Sequence, residues 1–259
     1  LAATAGIKRG ESSVKRSEIV SLSSLLLLVV PCYLFSLPFV GFTGAIAASS
    51  GALLGCLVAL VSRRWHLGVV SILTLLLGVY LLFGPTLAAT DPLGRKFYPT
   101  LSGLQLLVTS AVTCWRDTLT APLPLSAAGG AAVLPFLTCL ITALLAGLAA
   151  ASRRPWVAVV PATISLVVAI AWGSQLVPAA RWAGGAYFFL ALLWCGLVSE
   201  AAAKARSRAV NLAGARKKNR FIRPLAMVAV TLIICLASAS LAGITGRDNR
   251  EVLRTHVLP

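Results

Sequence analysis

The sequence predicts an all-α polytopic membrane protein of about seven transmembrane helices, with the N-terminus inside and the C-terminus outside. Three observations carry that expectation. First, 58% of the 259 residues are hydrophobic and only 12% are charged, and the mean hydropathy of +0.91 is that of a chain whose solvent is lipid. Second, seven apolar stretches are each long enough to cross a hydrocarbon core of roughly 30 Å at about 1.5 Å per helical residue. Third, Lys and Arg alternate between the connecting segments as the positive-inside rule requires. A cytoplasmic N-terminus places Lys8, Arg9, Lys15, Arg16, Arg63, Arg64, Arg153, Arg154, Lys204, Arg206, Arg208, Arg216, Lys217, Lys218, Arg220 and Arg223 inside. Only Arg95, Lys96, Arg116, Arg181, Arg247, Arg250 and Arg254 remain outside, 7 of the 23 basic residues. Moving the count by one helix breaks the alternation.

Residues 1–19 are polar and of mixed charge, a short cytoplasmic lead. The start at Leu1 rather than Met is expected of a fragment or a processed form. The first span, Val20 to Leu37, follows a basic segment as a signal peptide would, and Ala45-Ile46-Ala47 imitates a cleavage site. Its apolar run is too long for a signal h-region, and Arg63 and Arg64 follow the next span as a stop-transfer pattern demands, so it reads as a retained helix.

The second span is Gly41 to Val61 and the third Leu67 to Leu87. Next comes the one long outside loop, 88–130, opened by Asp91-Pro92-Leu93-Gly94 and closed by Ala121-Pro122-Leu123-Pro124 and Gly129-Gly130. Its middle, Leu101 to Trp115, is apolar but shorter than a span. Helical spacing of Leu104, Leu107, Val108 and Ala111 leaves two arrangements: a helix lying at the interface or one dipping back into the bundle, with Trp115 at headgroup depth. Trp115, Arg116 and Asp117 form the densest polar-aromatic cluster outside and are the candidate functional cluster.

Spans four to six are Ala131 to Ala151, Trp156 to Gly173 and Trp182 to Val198. The cytoplasmic loop that follows, 199–224, reads as a basic surface helix in which Glu200, Lys204 and Arg208 sit four residues apart. The last span is Leu225 to Ile244, and 245–259 exits outside.

The net charge of +16 would suit nucleic acid, but most of it lies on the predicted cytoplasmic face. Between Lys204 and Arg223 only Phe221 offers a stacking surface, so nucleic acid is discounted. Anionic lipid is the expected partner of Lys204, Arg206, Arg208, Arg216, Lys217, Lys218, Arg220 and Arg223, each attracted by about 1 kcal/mol.

Chemistry has little local signature. Walker A, GxGxxG, HExxH and Cys-x-x-Cys motifs are absent, and no cofactor or metal is implied. His66, beside Arg64 and Trp65, reads as an interface residue, and it lies across the membrane from His256. Cys32, Cys56, Cys114, Cys139, Cys195 and Cys235 all fall in or beside apolar stretches, where Cys behaves as a small hydrophobe. No span carries Asp, Glu, Lys, Arg or His in its interior, which argues against a pump or proton-coupled transporter. Ala47, Gly51 and Gly55, Ala143, Gly147 and Ala151, and Ala239 and Gly243 recur at four-residue spacing and permit close helix contact, within the bundle or between copies. Pro31, Pro135 and Pro161 kink or begin helices.

The order of features resembles that of the bacterial membrane-anchored transglutaminase-like proteins of the TgpA type. The features that carry the resemblance are the early helices ending at Arg63-Arg64, the loop ending WRDTLTAPLPL (Trp115 to Leu125) and the AAVLPFL start of span four. The turn Arg153-Arg154-Pro155, the basic loop before the last helix and the exit segment REVLRTHVLP (Arg250 to Pro259) complete it. It covers the chain from about residue 20 onward. The resemblance implies a bacterial plasma-membrane anchor whose exit segment leads into an extracytoplasmic domain using Cys, His and Asp, with thiolate attack on a carboxamide. That domain's catalytic residues have no positions here, so none is assigned. The competing expectations are a stand-alone permease or lipid-handling protein and a scaffold that docks cytoplasmic partners through Lys204 to Arg223.

Overall fold

The computed structural model describes residues 18–39, 41–87, 101–120, 125, 130–152, 154–172 and 179–210. Within them run α1 (Glu18–Ser36), α2 (Thr43–Arg64), α3 (Val69–Leu87), α4 (Leu101–Thr120) and α5 (Val133–Ala150). A 3₁₀ turn (Pro155–Ala158) leads into α6 (Val159–Trp172), and α7 is Ala179–Val210. Helix is what an apolar run must form in lipid, because no water is there to satisfy a free N–H or C=O.

Among the described residues five helices are long and apolar enough to cross a membrane: α1, α2, α3, α5 and the Trp182–Ser199 part of α7. The apolar segment Pro155–Ala171, the expected fifth span, is shorter. The expectation of seven spans is therefore met by five and a shorter sixth among the described residues. The expected span Leu225 to Ile244, the lead before Glu18 and the exit 245–259 lie outside those residues.

Helix α1 changes pitch in its middle. Ser24–Leu28 winds as a 3₁₀ helix, directly before Pro31, whose ring crowds the Leu27 carbonyl and which has no N–H to offer it. Ser23 and Ser24 donate back to the carbonyls of Val20 and Ser21, which also favours the tighter winding. Pro135 and Pro161 sit in the first turns of α5 and α6, where a missing N–H costs nothing.

The turn between α2 and α3 is set by His66. Its φ of 49° is the one positive value on a non-glycine among the described residues. The Leu67 N–H donates to Ser62 O (2.9 Å) and the His66 N–H to Arg63 O (3.3 Å), the paired bonds that close a helix on a left-handed residue. The role of His66 is thus conformational, at an exposed position.

Helices α2 and α5 form the tightest pair, and they run parallel. A Cβ on Gly51 would strike the Phe136 carbonyl oxygen, one on Gly55 the Leu140 carbonyl oxygen, and one on Gly147 would lie 2.8 Å from the Ala59 Cβ. Rising numbers on α2 thus meet rising numbers on α5. The small-residue stripes anticipated on α2 and α5 pack inside the bundle, letting two backbones touch; Ala239 and Gly243 lie outside the described residues. Helix α1 runs antiparallel to α5: the Ser21 hydroxyl donates to Gly147 O (2.9 Å) and Cys32 Sγ meets Cys139 Sγ at 3.9 Å. Helix α6 is antiparallel to α5 as well, since Ala169 shares a small cavity with Leu134 and Pro135.

The Cys32–Cys139 contact gives a direct check on this register. Oxidation of membranes with copper phenanthroline is expected to join these two cysteines into a disulfide while Cys56 and Cys114 stay alkylatable after denaturation. Peptide mapping that finds Cys32 unjoined would place α1 wrongly against α5.

Residues 181–210 belong to a second compact unit. It holds all but the first two residues of α7, a single 32-residue helix, about 48 Å long at 1.5 Å per residue. Ala183, Tyr187, Ala191, Trp194 and Val198 form its buried stripe. The expected break between a span and a separate basic surface helix does not occur: α7 continues through Glu200, Lys204, Arg206 and Arg208 to Val210. Alanine-rich sequence carries the helix on without a stop signal. Arg216, Lys217, Lys218, Arg220 and Arg223 lie outside the described residues.

Candidate functional site

The element with the most unusual placement is α4. Read as a helix ending near Trp115, it instead extends over 20 residues to Thr120 and takes in the candidate cluster. The loop expected over 88–130 therefore has a full-length helix as its described core. Every residue of the helix's buried stripe falls on one face: Leu107, Ser110, Cys114 and Thr118 are each 3% exposed or less, spaced at three and four residues as a helical face requires.

That face is pinned at two points. Near its start, the Tyr80 hydroxyl of α3 donates to Leu107 O at 3.1 Å, and a Cβ on Gly84 would lie 2.8 Å from the Leu107 side chain. The Tyr80 ring lies 6.2 Å from that of Phe136, the two inclined by 30°. Near its end, Thr118 lines a cavity of about 10 Å³ with Phe35, Phe39, Leu125 and Pro135, roughly the room of a single water. The Thr118 hydroxyl satisfies itself on Cys114 O at 2.6 Å. Below it the segment after α4 is tied to the segment after α1, because the Leu125 N–H donates to Pro38 O at 2.8 Å.

Both attachment points lie at the same end of the bundle, where α1 and α3 finish and α2 and α5 begin. The helix therefore lies over that end and does not run through the bundle. The parallel course of α2 and α5 requires this, since a crossing by α4 would have turned α5 the other way.

The candidate cluster is not brought to a point. Trp115 is 40% exposed and Arg116 is exposed, but neighbours on a helix point about 100° apart. The side chain of Asp117 lies outside the described residues. The opposite end of the bundle collects Arg63 and Arg64, in the last turn of α2, and Arg154, just beyond α5. Glu18 at the start of α1 is within electrostatic reach of Arg63, and one guanidinium nitrogen of Arg63 is buried without a hydrogen-bond partner among the described residues.

Among the described residues no group of three or more His, Cys, Asp or Glu gathers as metal ligands. The residues that sequence reasoning missed are Tyr80, Cys32 and Cys139. A single tyrosine in the aliphatic run of α3 was the available signal for the first. Nothing local marks the cysteine pair.

Fold and site together define a class: a multi-pass helical membrane protein with an apolar bundle, one end basic and the other covered by a transverse helix. No protein-family model, curated protein or solved structure matches the chain.

Proposed function

We propose that this chain is the membrane anchor domain of a bacterial transglutaminase-like protein, its basic end cytoplasmic and its α4 end facing out. The observation that carries the orientation is the parallel course of α2 and α5. It brings Arg63, Arg64 and Arg154 to one end of the bundle, and Lys and Arg near span ends favour the cytoplasm. The six described apolar segments bring the chain back inside at Lys204, Arg206 and Arg208, and Leu225 to Ile244 as a seventh span delivers the exit segment outward. There a cargo domain using Cys, His and Asp would meet extracytoplasmic substrate. The resemblance of WRDTLTAPLPL and REVLRTHVLP supplies the identity of that cargo. Anionic lipid headgroups of the cytoplasmic leaflet are the partner of Lys204, Arg206 and Arg208.

The test is the reading frame past Pro259. A polar extension with separated Cys, His and Asp residues is expected, and its deletion is expected to abolish amine incorporation into a glutamine substrate while the bundle stays in the membrane. A stop codon close behind Pro259 would remove this reading and turn attention to solute flux through proteoliposomes.

A further inference from the structure

We propose that α4 is an in-plane interfacial helix, and that Leu104, Val108, Val112 and Trp115 form a surface for the acyl chains of the lipid leaflet around the bundle mouth. This goes beyond the anchor reading and needs only a membrane around the bundle.

The helix has three faces. At about 100° per residue, the buried stripe Leu107, Ser110, Cys114 and Thr118 faces the bundle. Gln105, Thr109 and Arg116 lie opposite it and are exposed. Roughly a quarter-turn from the buried stripe stand Leu104, Val108, Val112 and Trp115, exposed by 37%, 54%, 80% and 40%. Four large apolar side chains in line at that exposure are costly in water.

Position decides the occupant. The eleven helical steps from Leu107 to Thr118 cover about 16 Å, reaching from the end of α3 to the end of α1 at a single level of the bundle. A helix lying along that level, with its polar face turned away from the bundle, presents its third face sideways. At that depth the sideways neighbours of a membrane bundle are the upper acyl chains. Leu73, Leu77 and Leu82 of α3 are likewise exposed, so the helix that receives the start of α4 already faces lipid. Trp115 ends the stripe where an indole prefers to sit, between chain and headgroup. An apolar face beside a polar one on a helix tied down at both ends is the arrangement of an interfacial helix.

The experiment uses the full chain in phosphatidylglycerol and phosphatidylethanolamine vesicles. In a chain whose six native cysteines are changed to alanine, single cysteines replace Leu104, Gln105, Val108, Thr109, Val112 and Arg116 in turn and are coupled to a nitroxide. Collision with oxygen, which concentrates in lipid, and with a water-soluble nickel chelate is then measured. Oxygen is expected to dominate at 104, 108 and 112 and the chelate at 105, 109 and 116, alternating with the helical period. Chelate access at all six positions would show a wet cap and overturn the proposal. Loss of both reagents at 104, 108 and 112 would show a protein partner or second copy there and overturn it too. A steady rise in oxygen access from 104 to 116 would mean a helix dipping into the bilayer, the third outcome that sinks it. These positions are exposed, so labelling leaves the packing of the bundle intact.

Discussion

Replacing Gly55 with leucine is expected to prevent α2 and α5 from closing and to remove most of the folded protein from the membrane. The first side-chain atom alone would collide with the Leu140 carbonyl oxygen and lie 2.9 Å from the Ala143 Cβ. Neither neighbour can swing aside, one being backbone and the other a methyl already in contact. Overpacking of a tight site costs about 1–3 kcal/mol, and here the two axes must separate along several turns, with loss of the contacts at Gly51 and Gly147. Gly55→Ala is expected to fall between leucine and the parent. Gly78 in α3 has nothing within 4 Å of the position its Cβ would take, so Gly78→Ala is expected to leave the midpoint unchanged. The measurement is thermal unfolding in detergent, followed by the monodisperse fraction on a sizing column. If Gly55→Leu melts with Gly78→Ala, the parallel close-packed pair is wrong, and with it the arginine grouping on which the proposed orientation rests.

The second large effect is expected at Tyr80, which holds α4 to the bundle. Its side chain is 7% exposed, its ring packs on Phe136 and its hydroxyl donates to Leu107 O. Truncation to alanine removes a buried aromatic worth about 3–5 kcal/mol and frees the start of α4. Tyr80→Phe keeps the ring and loses only the hydrogen bond, about 1 kcal/mol and nearer 0.6 kcal/mol by the average inside membranes. Cys114, on the buried face of α4 at 1% exposure, reports the detachment. Its alkylation by a maleimide in intact membranes is expected to be slow in the parent, faster in Tyr80→Phe and fastest in Tyr80→Ala. Equal rates in all three would mean that α4 is held by something other than this contact.

The candidate site was less legible than the bundle. Trp115-Arg116-Asp117 attracts attention as a string, yet a helix spreads consecutive residues around its axis, and the cluster reading assumed a loop. The helix runs on to Thr120 because no breaker intervenes before Pro122. The placement of α4 could not be chosen between interface and bundle from its own residues. An amphipathic 20-mer with three kinds of face is compatible with both, and only the contacts at Tyr80, Gly84 and Phe39 decide. The same holds for the basic segment after Ser199, where composition gave a helix but not its continuity with the span before it.

By itself, then, the chain's hydropathy determined that α1, α2, α3, α5, α6 and the apolar part of α7 are helices, with ends within about three residues of those observed except at α7. Lipid leaves a long apolar segment no other way to satisfy its backbone, so composition alone suffices for that step. The small-residue spacing also announced close contact, though not the partner. Tertiary structure alone decided that Gly51 and Gly55 meet Phe136 and Leu140 in parallel, that Cys32 meets Cys139, and that α4 lies across one end. These depend on which shapes fit together over separations of tens to a hundred residues, and local preference carries no record of that fit.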